Sequence, residues 1–194
     1  MRSRPKILLA CLTCALILLP KALSAQKLAV KTNILSDLTT TISLGAEARL
    51  APQWTIDITG SYNAWDFQEY RKQKHWMVQP EARWWFCESF NGHFLAGHVL
   101  GGEFNMADPL FPFSLYSPLR DYRFQGWMWG AGVGYGYQWV LSPRWSIEAE
   151  LGIGYVGTKY EQYECVRCGT LLGEGVSHRF AVTKLAVSIV FMIF

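Results

Sequence analysis

The stretch WMWGAGVGYGYQWVL at residues 127–141 decides the fold. Its odd-numbered positions carry mostly large apolar side chains, and its even-numbered positions carry mostly glycine. Successive side chains of a β-strand point to opposite faces, whereas a helix repeats every 3.6 residues. A period of two sustained over 15 residues therefore predicts one long strand with an apolar face and a small-residue face.

The same alternation recurs along most of the chain and predicts eight strands. Seven further segments show it, clearly or weakly, at residues 27–35, 41–50, 54–64, 76–86, 93–104, 145–155 and 180–194. The first and fifth of these are weak, and the last is apolar on both faces near its end. A chain of 194 residues has room for one such domain, so we predict a single all-β domain.

The connections between these segments alternate in length. Those at residues 51–53, 87–92 and 142–144 are short, and those at 66–75, 105–123 and 158–177 are long. The first connection, 36–39, is short although it lies on the long side. Tight turns at one end and extended loops at the other are typical of outer-membrane β-barrels.

Aromatic residues lie in two rows along the apolar face. Trp129 and Trp139 are ten residues apart on one strand, as are Trp145 and Tyr155 on the next. Ten residues at about 3.3 Å rise and a tilt of roughly 40° cover about 25 Å, the height of the apolar band of such barrels. We therefore predict aromatic girdles at two water interfaces, formed by Trp54, Trp76, Trp84, Trp127, Trp129, Trp139, Trp145 and Tyr155.

A soluble barrel or sandwich is the alternative, with the apolar face turned inward. Eight strands enclose space for modest side chains only, yet the apolar face carries seven of the nine Trp. The opposite face carries glycine, Ser, Thr and isolated charges, which suit a narrow lumen. We predict an eight-stranded antiparallel up-and-down transmembrane β-barrel with the apolar face outward.

The first 25 residues predict an export signal. Basic residues precede a 13-residue apolar run at 7–19 and small residues at 22–25, the pattern of a cleaved signal peptide. We expect a signal peptide at 1–25, a barrel domain at 26–194 and an outer-membrane location. A lipoprotein signal ending at Cys11 is the alternative, but only Ile7, Leu8 and Leu9 would precede its recognition motif.

The predicted cleavage changes the charge of the chain. Lys plus Arg falls from 18 to 14 against 15 Asp plus Glu, so the net charge moves from +3 to −1. The basicity belongs to the signal, and nothing in the remainder indicates a nucleic-acid partner. The expected partners are the bilayer and, through the external loops, surface proteins.

Charged residues on the lumen face predict a buried network. In an interior shielded from water these charges must pair, because an isolated buried charge is costly. A carboxylate site or an ion gate is the functional alternative to this structural role. The predicted members are Glu47, Arg49, Asp57, Glu81, Arg83, Glu148 and Glu150, with Lys31 and Lys184 as further candidates.

Three other patterns in the sequence have residue types that could carry chemistry. Cys165 and Cys168 form a CxxC pair, which fits half a zinc site, a redox pair or a local disulfide; we predict the disulfide. The alternating glycines of 130–136 depart from the GxGxxG order of phosphate loops, so we expect no phosphate-binding cofactor. We expect no metal either, because His178 is the only candidate for a second ligand near the CxxC pair. His98 is the mid-strand histidine from which a lipid-modifying site would be built, but no serine and acid are joined to it by sequence spacing.

The residues together resemble a known family. Eleven short motifs look like those of the domain of unknown function 3575 family, whose members are exported outer-membrane-type proteins of Gram-negative bacteria. They are Lys31-Thr32-Asn33, Tyr62-Asn63, Trp65, His75-Trp76, Gln79-Pro80-Glu81, Arg83-Trp84-Trp85-Phe86-Cys87, Gly92-His93-Phe94, Gly134-Tyr135-Gly136-Tyr137, Glu150-Leu151-Gly152-Ile153-Gly154-Tyr155, Cys165 to Cys168 and Thr183-Lys184. The resemblance implies a part in surface appendages, because some members are encoded near fimbrillin-type genes, and it supplies no catalytic residue.

We expect a non-enzymatic barrel with a side-chain-filled lumen, acting through its external loops. The apolar stretch PLFPF at residues 109–113 lies in one such loop and would suit a protein partner. The alternative is an outer-membrane acyl hydrolase or acyltransferase that uses His98 on the barrel wall.

Overall fold

Eight β-strands and one short helix make up most of the computed structural model, which describes residues 27–65, 72–107, 122–164 and 170–193. The signal segment, residues 109–113 and the pair Cys165 and Cys168 lie outside the described residues. No described helix has the length and apolar character to cross a membrane. The elements are β1 Leu28–Asn33, α1 Ile34–Leu38, β2 Ile42–Ala51, β3 Trp54–Asn63, β4 Lys72–Trp85, β5 Gly92–Ala107, β6 Tyr122–Val140, β7 Trp145–Glu164 and β8 Leu171–Met192.

Each strand pairs antiparallel with the next along the chain, and β8 pairs with β1 to close the ring. The predicted all-β class, strand number and up-and-down order are therefore confirmed. Closure pairs every strand with a neighbour on each side, so the backbone donors and acceptors of the ring bond within the sheet.

Side chains that alternate in polarity along the sequence also alternate in solvent exposure in the structure. Large apolar side chains such as Leu44 at 67% exposed and Val133 at 65% point away from the ring. Charged and amide side chains between them, such as Glu47 and Gln138 at 0%, point into it. The interior is thus polar and the exterior apolar, the reverse of a water-soluble domain.

The first predicted strand and connection need correction. β1 ends at Asn33 instead of residue 35, and α1 replaces the start of the predicted 36–39 connection. The Asn33 side chain caps the helix by accepting from the Leu35 amide, and Asp37 accepts from the Thr32 hydroxyl at 2.7 Å. These local hydrogen bonds offer the chain an alternative to continuing the strand.

The predicted long connections are shorter than 66–75, 105–123 and 158–177. β4 begins at Lys72, β5 runs to Ala107, β6 begins at Tyr122, and the β7–β8 hairpin continues to Glu164 and Leu171. Polar residues occur on both faces of these extensions. The alternation of apolar and polar residues therefore ends there, although the backbone pairing between strands continues. Five strands therefore rise beyond the ends of β1, β2 and β3 on one side of the ring.

The short-turn end of the lumen is closed by aromatic side chains. Phe90 adopts φ 67° in the β4–β5 turn, a rare conformation for a bulky residue, and is buried with Ala29 and Val190. Trp85 lies 6.0 Å from the Phe90 ring and 4.7 Å from the Phe94 ring, centroid to centroid. The interior is therefore filled at this end by a small apolar plug.

Candidate functional site

The strand register brings acidic residues of three neighbouring strands, and a histidine of a fourth, together. Glu47 on β2 pairs with Asp57 on β3, Asp57 pairs with Glu81 on β4, and Glu81 pairs with His98 on β5. Adjacent carboxylates repel when nothing lies between them. The arrangement therefore requires cations from the rest of the wall.

Three cations meet these carboxylates and form what we call the lumen charge cluster. Arg83 is 0% exposed, and its guanidinium bonds the carboxylates of four different glutamates. The five acidic and three basic members are Glu47, Asp57, Glu81, Glu148, Glu150, Lys31, Arg83 and Lys184.

Arg83 is the centre of the lumen charge cluster. Its Nη1 lies 2.6 Å from Glu148 Oε2, its Nη2 lies 2.7 Å from Glu150 Oε2, and its Nε lies 2.6 Å from Glu81 Oε1. The Phe94 ring covers the guanidinium at 4.4 Å from its centroid. Charge-assisted hydrogen bonds of this length are the strongest class available to a protein interior.

Two lysines complete the pairing from β1 and β8. Lys31 Nζ lies 2.9 Å from Asp57 Oδ2 and 3.1 Å from Glu47 Oε2. Lys184 Nζ lies 2.7 Å from Glu81 Oε2 and 3.1 Å from Glu150 Oε2. The cluster therefore crosslinks β1 and β8, the strands where the ring closes, to the opposite wall.

Six of the seven sequence-predicted network residues join the lumen charge cluster, and Arg49 does not. Arg49 is half-buried near the short-turn end, and its Nε donates to the Ala51 carbonyl at 3.4 Å. The register of β2 against β3 shifts between Arg49 and Ala51, which ends the regular alternation two residues after Glu47. The prediction that Arg49 belongs to this network is corrected.

Sequence reasoning missed the surroundings of His98. His98 is buried and its ring faces the lumen, where Nε2 lies 2.8 Å from Thr183 Oγ1 and Nδ1 lies 3.6 Å from Glu81 Oε2. Thr183 reaches the interior because the β7–β8 register shifts between Gly152 and Ile153, leaving Thr183 as an extra residue. A bulge of this kind has no clear signal in the alternation pattern.

The glycines of β6 and β7 make room for these side chains. A Cβ on Gly132 would lie 2.7 Å from His98 Nε2, and one on Gly134 would lie 2.9 Å from Glu150 Oε1. Their close approach to the functional side chains explains the glycine-rich face of residues 130–136. It supplies a packing reason for a pattern that superficially suggests phosphate binding.

The predicted girdle residues all lie on the exterior. Their exposed fractions range from 37% for Trp84 and Tyr155 to 54% for Trp127. The set is Trp54, Trp76, Trp84, Trp127, Trp129, Trp139, Trp145 and Tyr155.

A pocket of about 500 Å³ lies at the long-loop end, beside the aromatic row. Trp76 and Trp127 meet edge to face at 5.8 Å, and Trp76 Nε1 donates to Glu103 Oε2 at 2.9 Å. Lys159 and Tyr160 contribute to its lining. This pocket combines aromatic surface with charges of both signs.

A polar cluster on the extended strands forms part of this pocket's wall and continues past it. The Tyr163 hydroxyl donates to Glu161 Oε2 at 2.6 Å, and the Gln125 amide donates to the same oxygen at 3.1 Å. These two hydrogen bonds lower the pKa of Glu161 below its usual range. Arg123 stacks over the Tyr163 ring at 4.5 Å, so this end of the sheet is held by contacts typical of a water-exposed surface.

The fold and the lumen charge cluster define a class of protein: a closed eight-stranded antiparallel ring with an apolar exterior and a charged interior. The chain belongs to the family described as protein of unknown function DUF3575, whose profile matches residues 9–193. No curated protein and no solved structure matches the chain.

Proposed function

We propose that the protein is an integral outer-membrane β-barrel that acts through its external loops as a structural, adhesion or surface-appendage-associated protein. The observation that carries the proposal is the inverted distribution of polarity. A water-soluble domain rarely exposes an apolar patch larger than a few hundred Å², whereas here the exterior of every strand is apolar over its middle length. Acyl chains are the environment in which such a surface is stable.

The aromatic rows support a membrane of ordinary thickness. Trp145 and Tyr155 are both exposed and lie at the two ends of the apolar part of β7. Their separation of ten residues corresponds to about 25 Å along the membrane normal at the usual tilt. The charged residues Glu103 and Lys159 pair in register with Trp127 on either side of it, which fits a boundary with water at that row.

The filled lumen argues against a diffusion pore. Eight strands leave an interior that side chains can fill, and the lumen charge cluster and the plug around Phe90 occupy it. We therefore assign the interaction with partners to the long-loop end, where β4 to β8 extend beyond the other three strands. The aromatic and charged pocket beside Trp76 adds a surface suited to recognition.

Two steps test this proposal. The full chain is expressed in a Gram-negative host, and the folded protein is expected in the outer-membrane fraction, resistant to alkaline extraction and migrating differently on gels before and after heating. Recovery as a soluble periplasmic protein would contradict the membrane assignment.

The loop assignment needs a separate comparison. Residues 108–121 are replaced by a short Gly/Ser linker, since β5 and β6 still pair up to Met106 and Phe124, and residues 66–71 are replaced likewise as the matched control. Crosslinking on intact cells should lose the captured surface protein with the first replacement. Equal capture by both variants and the parent would refute a role for this loop.

The lipid-modifying alternative is not favoured by the position of His98. Thr183, His98 and Glu81 follow the hydroxyl, imidazole and carboxylate order of nucleophilic catalysis. However, the imidazole faces the lumen, and a Cβ on Gly152 would lie 2.8 Å from its Cε1, so acyl chains outside the ring do not reach it. We expect His98→Ala to leave the lipid A profile unchanged, and an altered profile would revive the enzymatic hypothesis.

A further inference from the structure

Three buried residues of the lumen face one another with metal-ligating atoms. Glu81, His98 and Glu150 each offer one ligand atom, and these atoms all lie within 4.8 Å of one another. They come from β4, β5 and β7, so the closed ring holds them in place independently of any loop. Groups that converge in this way from rigid strands resemble a preorganised metal site.

Two polar side-chain atoms of these residues have no hydrogen-bond partner. His98 Nδ1 and Glu150 Oε1 are both buried and unpaired, and the His98 side chain is 0% exposed. The contact of Nε2 with Thr183 Oγ1 at 2.8 Å orients the ring and leaves Nδ1 directed at Glu81. A ligating histidine is commonly held through its other nitrogen in this manner, and a buried polar atom without a partner calls for an occupant.

The charges of the lumen charge cluster do not balance. In the described part of the chain it contains five carboxylates against three cations, a net charge of −2 with His98 neutral. Burying two uncompensated charges is costly. One divalent cation would bring the cluster to neutrality.

We propose that Glu81, His98 and Glu150 form a binding site for a divalent transition-metal ion of the zinc class. One imidazole nitrogen with two carboxylate oxygens suits Zn²⁺, Mn²⁺, Fe²⁺ or Co²⁺, whereas Mg²⁺ and Ca²⁺ prefer oxygen ligands throughout. The site is independent of the proposed surface function, because its ligands lie inside the ring. It would link β4, β5 and β7 at mid-height.

Lys184 is the internal competitor for this site. Its ammonium contacts Glu81 Oε2 at 2.7 Å and Glu150 Oε2 at 3.1 Å, so it competes with a metal ion for the same two carboxylates. The positive charge beside the site opposes binding of a second cation. Removal of this charge by Lys184→Met is therefore expected to tighten metal binding, an effect that a purely structural role for Lys184 does not produce.

Equilibrium dialysis with Zn²⁺ tests the proposal. The full mature chain carries Cys87→Ser, Cys165→Ser and Cys168→Ser so that thiols cannot bind the ion, and it is folded in detergent micelles and treated with a chelator. We expect about one Zn²⁺ per folded chain by elemental analysis, with no comparable uptake of Ca²⁺. Co²⁺ in place of Zn²⁺ should give the visible absorption of an imidazole and carboxylate site.

Matched variants locate the ion. His98→Gln should weaken Zn²⁺ binding at least ~10-fold, the loss seen even for supporting residues of metal sites. His93→Gln, on the exterior beside Tyr135 and Tyr137, should bind Zn²⁺ as the parent does. If His98→Gln does not fold, Glu150→Gln provides the same comparison with little change of shape.

The outcomes are distinct. Stoichiometric Zn²⁺ that is weakened by His98→Gln and tightened by Lys184→Met supports the site. Absence of stoichiometric Zn²⁺ in the folded parent overturns it and leaves protons as the balancing charge. Equal binding by the parent and His98→Gln also overturns it, because the ion would then lie elsewhere.

Discussion

Arg83 is the residue on which the interior depends most. It contacts four glutamates from β2, β4 and β7 within hydrogen-bonding distance. A hydrophobic core is replaced here by a network of buried charges, in which each lost partner leaves another charge unsatisfied. The cost of removing one member is therefore much larger than for an ion pair on a surface.

Replacing Arg83 by Ala should destabilise the folded ring strongly. Four carboxylates would lose a partner at 0–3% exposure, and loss of one partner of a buried pair costs about 3–5 kcal/mol. The measurement is the temperature at which the folded band on a gel converts to the unfolded band. Arg144→Ala, in an exposed turn, is the control; equal heat resistance of the two variants would show that the cluster does not support the fold.

Glycine positions separate close packing from open surface. A Cβ on Gly154 would overlap the Ala131 carbonyl oxygen and the Gly132 Cα, whereas a Cβ on Gly97 meets nothing within 4 Å. Gly154→Ala should therefore lower the free energy of unfolding by about 1–3 kcal/mol, the usual cost of overpacking. Gly97→Ala should change it by less than about 0.5 kcal/mol. Urea titration of both variants in lipid vesicles gives the comparison, and equal stabilities would contradict the glycine packing.

At the scale of strands, the sequence predicts an element where its two faces differ. The segments β2, β3, β6 and the first half of β7 oppose large apolar residues to small or charged ones, and their existence and order follow from that pattern. The extensions of β4 to β8 carry polar residues on both faces, so only cross-strand pairing reveals them. A period-two pattern reports burial on one side, not hydrogen bonding.

The candidate site was predictable in part for the same reason. Charges at alternate positions identified Glu81, Arg83, Glu148 and Glu150, because an odd or even position along a strand fixes which face of the sheet a side chain occupies. The contact between His98 and Thr183 depends on a bulge in β8, and the plug depends on a positive φ at Phe90. Such local irregularities shift parity without a distinctive sequence signal.

A charge placed outside should test the orientation of the strands. Ile58 is 53% exposed at the middle of β3. In vesicles, Ile58→Lys should lower the free energy of unfolding by about 2–4 kcal/mol, because acyl chains exclude the ammonium. Leu171→Lys, at the outer end of β8, should cost about 0–1 kcal/mol. Equal tolerance of both charges, measured as the yield of folded protein, would favour a water-exposed exterior.

At the scale of the molecule, the ring has an apolar outer band, a charged interior, a closed short-turn end and an extended long-loop end. The paired strands form a rigid scaffold, and the connecting loops are free to differ in sequence and length. Many folds carry their function on loops of this kind. The proposed metal site would add a further link across the lumen. This proposed site is separate from the partner surface that we propose at the long-loop end.

The most direct measurement is the environment of the exterior at mid-height. The native cysteines are replaced, and single nitroxide labels are attached at positions 58, 133 and 151, whose native side chains are exposed. A label at position 171 is the control. Each labelled protein is reconstituted into vesicles. We predict that oxygen, concentrated in acyl chains, relaxes the labels at 58, 133 and 151, while a water-soluble nickel chelate relaxes the label at 171. Access of the nickel chelate to all four positions would contradict an exterior in contact with lipid.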